Sequence, residues 1–177
     1  MKDTVQAHGT TPAGDATMPE QASATGEVIK NATTIANGLK LFHDAGDRPP
    51  VGRIVAETCV TLDATRFDGT WISLAADLPG DQARQIRAGM ELVVRLNAEA
   101  TPPVPTFIRA HFSNEEGREA LHDLIVVATG KRIIRFNLDG LRIPVDLATS
   151  AYVDVIFSQP AGTRLSVQKI DLQVEEQ

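Results

Sequence analysis

Residues 90–97 place Met90, Leu92, Val94 and Leu96 on one side of an extended chain and Glu91, Val93, Arg95 and Asn97 on the other. A period of two belongs to a strand with one buried face, and an α-helix, with its period of 3.6, scatters such a set around its axis. The same alternation returns three times. Residues 106–112 set Ile108, Ala110 and Phe112 against Phe107, Arg109 and His111, and residues 132–138 set Ile134, Phe136 and Leu138 against Ile133, Arg135 and Asn137. Residues 151–157 set Val153, Val155 and Phe157 against Tyr152, Asp154 and Ile156. Further strands are predicted at 52–63, 70–78, 121–127 and 164–174, the last irregular near Lys169, for about eight or nine in all.

Turn chemistry separates these segments: Asp68-Gly69, residues 101–105 and 114–117, Thr129-Gly130, Asp139-Gly140 and residues 160–163. Inside this region only residues 81–87 read as helical, after Pro79-Gly80, with Asp81 as the cap and Ile86 toward the core. A parallel sheet needs crossover helices, and the pattern supplies none. The expected fold class is therefore all-β, an antiparallel jelly-roll-like β-sandwich with a short helical insertion.

The division along the chain follows from composition. Residues 1–26 are rich in Ala, Thr, Gly, Pro and Gln with almost no large apolar side chain, so they cannot offset the entropy of ordering and are expected to form a disordered leader. In residues 27–38, Val28, Ala32, Ile35 and, just beyond, Leu39 recur at helical spacing before Asn37-Gly38, which predicts a short amphipathic helix or linker. Such a helix either packs on the domain or docks on a partner. Residues 39–177 make the sandwich domain, and 42% hydrophobic with 23% charged residues is a globular balance.

Charge and cysteine usage remove several functions. A net charge of −6, with the basic residues scattered, excludes a nucleic-acid partner. Cys59 stands alone, so neither a disulfide within the chain nor a cysteine zinc site can form. No apolar stretch follows the N-terminus as in a secretion signal, and the longest apolar run, residues 124–128, is far too short to span a bilayer. The expectation is a soluble, cytoplasmic protein without membrane insertion, release by another route left open, and an oligomeric state that sequence does not set.

With the alternating segments in register, one sheet should present Arg95, Asn97, Arg109, His111, Arg135, Asn137, Tyr152 and Asp154 outward. Directed polar donors beside an aromatic ring suit a sugar, whose hydroxyls need hydrogen bonds and whose C–H face packs on a flat ring. Tyr152 is one such platform, and Trp71 joins if it faces the same way. The plain alternative is the solvated face of a sheet.

Other constellations are weaker. His43-Asp44 and His122-Asp123 offer imidazole beside carboxylate, but only His8 and His111 remain as further histidines, and no metal-ligand spacing emerges. Asp63, Asp68 and Asp77 are the carboxylates that could hold a structural calcium ion, although nothing resembles an EF-hand loop. Glu115, Glu116 and Glu119 read as a solvated loop. Nucleophile elbow, phosphate loop and dinucleotide fingerprint are all missing, so no catalytic residue, metal ligand or other cofactor is expected.

Three segments carry a resemblance: Gly38-Leu39-Lys40-Leu41-Phe42-His43-Asp44, Arg66-Phe67-Asp68-Gly69-Thr70-Trp71-Ile72-Ser73-Leu74 and Tyr152-Val153-Asp154-Val155-Ile156-Phe157. They resemble landmarks of an alphaproteobacterial family of unknown function, and the resemblance implies a shared β-sandwich and no activity. The expected architecture, a jelly roll with a helical insertion, is also similar to carbohydrate-binding modules, an analogy of fold alone. The function expected is a noncatalytic binding module for a glycan or polysaccharide on an open sheet face. The alternative is a structural or adaptor protein that docks on a larger assembly through its N-terminal segment or a sheet edge. Far-ultraviolet circular dichroism of the purified protein should show a chiefly β spectrum, and a chiefly helical one would dissolve the assembled face.

Overall fold

A computed structural model describes residues 27–35, 39–56, 59–115, 117–141 and 149–177. Among them run twelve strands: β1 (Glu27–Val28), β2 (Thr33–Thr34), β3 (Lys40–His43), β4 (Val51–Ala56), β5 (Cys59–Asp63), β6 (Trp71–Asp77), β7 (Met90–Thr101), β8 (Val104–Ser113), β9 (Arg118–Val127), β10 (Lys131–Asn137), β11 (Ser150–Ser158) and β12 (Arg164–Glu176). They form two six-stranded antiparallel sheets. The first has the order β1-β4-β5-β12-β7-β10 and the second β2-β3-β6-β11-β8-β9. The jelly-roll-like sandwich read from the alternation is the fold observed.

The core lies between the sheets and is built from the inward halves of the alternating sets. Leu92, Val94 and Leu96 of β7 are at most 1% exposed, and Ile108, Ala110, Val153, Val155 and Phe157 of the second sheet are wholly buried. One extra residue in β12 keeps that strand in phase. Leu165 and Val167 point inward, the register shifts between Val167 and Lys169, and inward residues resume at Ile170 and Leu172. The bulge also marks where β12 stops pairing with β5.

Several local expectations are corrected. Residues 52–63 are not one strand: β4 and β5 pair with each other, Gly52 opposite Leu62. The helical segment is one turn, α1 (Gly80–Ala83), and its N-cap is Pro79 without a side-chain bond, so Asp81 caps nothing. Ile86 does face the core, 2% exposed. No helix among the described residues is long and apolar enough to cross a membrane.

The largest correction concerns residues 27–38. In place of an amphipathic helix, this segment places β1 on the edge of the first sheet, Val28 opposite Val51, and β2 on the edge of the second, Thr33 opposite Leu41. Its link is a turn with Ala32 at φ 60°, and Asn31 Oδ1 accepts the backbone N–H groups of Ala32 and His43 at 2.9 and 3.0 Å. Helical spacing was coincidental: Val28 is 61% exposed, whereas Ile29 and Ile35 are buried. Strand pairing and burial of these two side chains outweigh a helix too short to persist alone. The leader expected at residues 1–26 and the stop at Asn37-Gly38 fall outside the described residues.

Ile29 is seated over Gly52, where a Cβ would stand 1.9 Å from Ile29 Cδ1 and 3.0 Å from Leu62 Cδ2. The absent side chain is therefore what lets β1 close the edge. Gly52→Ala should lower stability by about 1–3 kcal/mol through overpacking. Chemical denaturation of Gly52→Ala, Ile29→Ala and the double variant checks this, since Gly52→Ala should cost little once Ile29 is truncated; additive losses would show that the Ile29 seat is not the cause.

Candidate functional site

Alternation tells which side chains point outward but not which sheet carries them. The expected site residues divide accordingly between opposite sides of the molecule. Arg95 and Asn97 on β7 with Arg135 and Asn137 on β10 belong to the first sheet, whereas Trp71, Arg109, His111, Tyr152 and Asp154 on β6, β8 and β11 belong to the second. The single eight-residue face assembled from sequence does not exist.

On the first sheet the polar groups satisfy one another. Arg95 bonds Gln173 and Glu175, Arg135 reaches Glu91 at 3.0 Å and Glu175 at 3.2 Å, and Asn97 bonds Gln168. Hydrogen bonding from Arg95 holds the Glu175 carboxyl below its usual range. Asn137 accepts Asp139 N–H at 2.8 Å and so caps the 3₁₀ turn at Leu138–Gly140. Val93 lies wholly buried beneath this outer layer. This surface is a self-paired, ion-laced sheet exterior.

The second sheet carries a hollow of about 680 Å³. Its shape follows from the register. One row across the strands reads Lys40, Ala75, Asp154, Arg109 and His122, and the next reads Phe42, Ser73, Ile156, Phe107 and Leu124. Ala75 and Ser73, small and central, lie between long neighbours on either side, so the floor drops at β6. Tyr152 stands beside Asp77 at one end and Trp71 beside Ser158 at the other. Phe107, 42% exposed, forms part of the apolar bank.

The polar groups of the hollow are unequal. Lys40 Nζ pairs with Asp77 at 3.0 Å. Asp154 receives Ser73 Oγ at 3.3 Å and His111 Nε2 at 3.0 Å. Since a carboxylate only accepts, Nε2 carries the proton of that ring. His111 also stacks on Tyr152, with centroids 4.4 Å apart and planes 10° from parallel, which fixes the phenol ring from one side. Burial, helped by the neighbouring Asp154, raises the Tyr152 phenol above its ordinary value, so it stays a neutral donor. Arg109 has no ion pair among the described residues, and its Nε is buried without a hydrogen-bond partner. A buried donor left unpaired costs about 1–3 kcal/mol, which makes it the least settled group on this face.

Sequence alone does not point to Lys40, Phe42 or Ser73, and it offers Asp77 only as a calcium ligand, because their place in the hollow depends on β3 and β6 pairing beside β11. The signal available was the alternation of Lys40 and Phe42 with buried Leu41 and His43. Alternation points Phe107 and Ile156 outward, but their apolar side chains carry no signal of a site.

The remaining candidates have structural duties. His43 is buried, its Nε2 donating to Ile29 C=O at 3.0 Å and its Nδ1 accepting Ala45 N–H at 3.1 Å. Asp44 accepts the Thr70 and Trp71 N–H groups at 2.7 and 3.0 Å, together with the Thr70 hydroxyl. Burial pushes the Asp44 carboxyl up, but these bonds outweigh it and hold it below the usual range. Asp68 returns the arrangement by accepting the N–H groups of Gly46, Asp47 and Arg48. Between them sits Gly69, where a Cβ would lie 2.4 Å from Asp44 Oδ1. This reciprocal clamp positions Trp71 at the mouth of the hollow. His122 and Asp123 are consecutive on β9 and point to opposite faces, so the carboxylate cannot orient the imidazole. Asp63 bonds Thr65 and Asp77 bonds Lys40, away from Asp68, and no three His, Cys, Asp or Glu side chains among the described residues group to hold a metal ion.

Burial depresses the pKa of His111, Arg109 and His122 add to this, and the Asp154 carboxylate opposes it. The unfolded chain therefore binds a proton more readily at this site than the folded one. The stability contributed by His111 is complete above its ordinary value of 6.5 and is lost as pH falls through the lower folded value. NMR titration assigned by His111→Gln should find the ring still neutral below pH 6.5; a midpoint at or above that value would contradict the assignment.

The sandwich is similar to solved structures of low sequence identity. One is the second N-terminal cellulose-binding domain of Cellulomonas fimi β-1,4-glucanase C, 16% identical over 88% of this chain and 99% of that one, with a TM-score of 0.50. CtCBM11, studied in solution for structure, dynamics and binding, is 14% identical over 88% and 99% of the two chains, again with a TM-score of 0.50. The enzymatically active domain of tailspike protein 4 from bacteriophage CBA120 is 11% identical over 84% of this chain, with a TM-score of 0.51; only 21% of that chain is covered, so this protein spans about a fifth of its length. At such identities the likeness is one of fold. No curated protein matches the chain. Residues 16–176, nearly the whole length, match the model of a family of unknown function, and the chain belongs to that family, DUF6478.

Proposed function

We propose that this chain is a noncatalytic module that holds a glycan in the hollow of the second sheet. The observation that carries the reading is the joining of two aromatic rings, Trp71 and Tyr152, with polar donors around a floor of small side chains. A pyranose offers an apolar C–H face and a rim of hydroxyls, and this hollow offers a matching division. Its 680 Å³ lies within the range of about 300–1,000 Å³ usual for small-ligand sites. The carbohydrate-binding domains of similar fold support the reading.

Catalysis is not part of the proposal, because the two carboxylates of the hollow are already committed, Asp154 to His111 and Ser73 and Asp77 to Lys40. A second reading, a protein partner adding a strand along the edge of β9, draws support from Leu124 and Val126, each 58% exposed there. Among the described residues, 27–35 offer no docking helix, since β1 and β2 are built into the sheets.

Affinity electrophoresis through gels containing soluble polysaccharides separates these readings. At least one polymer should retard the protein, and Trp71→Ala and Tyr152→Ala should each weaken binding by about tenfold or more, as for central aromatic anchors. Arg135→Gln, on the opposite sheet, should leave the mobility unchanged. Retardation by no polymer, or retardation indifferent to both aromatic truncations, would overturn the glycan reading.

A further inference from the structure

We infer that the glycan held in the hollow is acidic, a chain of uronic-acid units whose carboxylate is taken by Arg109; the inference rests on the glycan reading and names its substrate class. Several other arginines are answered by a carboxylate. Arg95 meets Glu175, Arg135 meets Glu91 and Glu175, and Arg87 meets Glu176 at 2.8 Å. In a chain of net charge −6, acceptors for a guanidinium are plentiful. Arg109, on β8 of the second sheet, has no ion pair among the described residues. Arg48, Arg53, Arg66, Arg84, Arg118 and Arg132 have none there either, but they are exposed to water, whereas Arg109 is half-buried and its Nε has no hydrogen-bond partner.

The carboxylate opposite it is already engaged elsewhere. Asp154 stands directly opposite Arg109 in the β11–β8 register, yet both its oxygens are engaged, Oδ1 by Ser73 and Oδ2 by His111. The other carboxylate of the hollow, Asp77, is drawn to Lys40. Opposite Arg109 on the far side stands His122, which offers no negative charge. Arg109 therefore lines the hollow without an ion-pair partner among the described residues, next to an aromatic and apolar bank. A carboxylate on a sugar ring supplies the missing acceptor, and a planar guanidinium binds carboxylate by paired hydrogen bonds in a way that a neutral hydroxyl cannot reproduce. The aromatic rings at the two ends of the hollow suit the same ligand: Trp71 and Tyr152 take the C–H faces while Arg109 takes the acid group between them.

The test uses polygalacturonate, polymannuronate and polyglucuronate, each compared with its carboxyl-reduced counterpart, which keeps the ring and the linkage but replaces the acid by a primary alcohol. Isothermal titration of the full chain should show binding to at least one polyuronate, about tenfold or more tighter than to its reduced partner, with the difference shrinking as salt is raised. Arg109→Gln should abolish the preference, Arg109→Lys should keep part of it, and Arg135→Gln should keep all of it. Melting curves of the Arg109 variants confirm folding, and the lysine variant stands as evidence if the glutamine variant fails to fold. Equal binding of acid and reduced polymers, lost in Trp71→Ala, would overturn the acidic assignment and leave the glycan reading standing. Binding to none of the six polymers would overturn the acidic assignment as well, and neutral polysaccharides retarded in gels would then show whether the glycan reading survives it.

Discussion

The antiparallel pairing of β11 with β6 on one side and β8 on the other holds the second sheet, and with it the whole outward surface, in place. Val153, Val155 and Phe157 are wholly buried and lock the strand into the core. Because side chains alternate, that locking also dictates that Tyr152, Asp154 and Ile156 face outward, beside Asp77, Ala75 and Ser73 of β6 and His111, Arg109 and Phe107 of β8. A slip of one residue would bury the aspartate and expose the phenylalanine. The hydrophobic core thus sets the geometry of the hollow although it contributes none of the lining.

The two exteriors of the sandwich resolve the same problem differently. On the first sheet the long charged side chains fold onto one another and roof over Val93. On the second, short side chains on β6 leave a gap that the neighbouring strands do not fill, and the charged groups sort unevenly around it. Loop chemistry then completes the rim, since the Asp44 and Asp68 clamp holds the backbone that delivers Trp71. The carboxylate of a His-Asp pair acts here as a splint for main-chain N–H groups.

Where a period was repeated, sequence sufficed. The segments around Leu92, Ile108, Ile134 and Val155 became strands with the inward and outward sides expected, and even the irregularity near Lys169 proved to be a bulge, legible because the apolar phase changes between Val167 and Ile170. What sequence could not supply was partnership. Arg95 and Arg135 alternate as Arg109 and Tyr152 do, and only strand order assigns them to opposite sides. Residues 27–35 failed for a different reason. Val28, Ala32 and Ile35 match a helical spacing by accident, whereas the deciding feature was a glycine far along the chain, Gly52, whose missing side chain accommodates Ile29. Long-range vacancy leaves no periodic mark.

The lowering of the floor by Ser73 and Ala75 has an evolutionary corollary. Ala75 bears no charge and does not belong to the hydrophobic core cluster, so a bulkier residue there would reshape the trough without disturbing the interior, whereas Ser73 also holds Asp154 Oδ1 and its exchange would reach the neighbouring guanidinium. Width at Ala75 and charge at Arg109 can then vary separately, so related chains in this family can share one scaffold while their hollows differ.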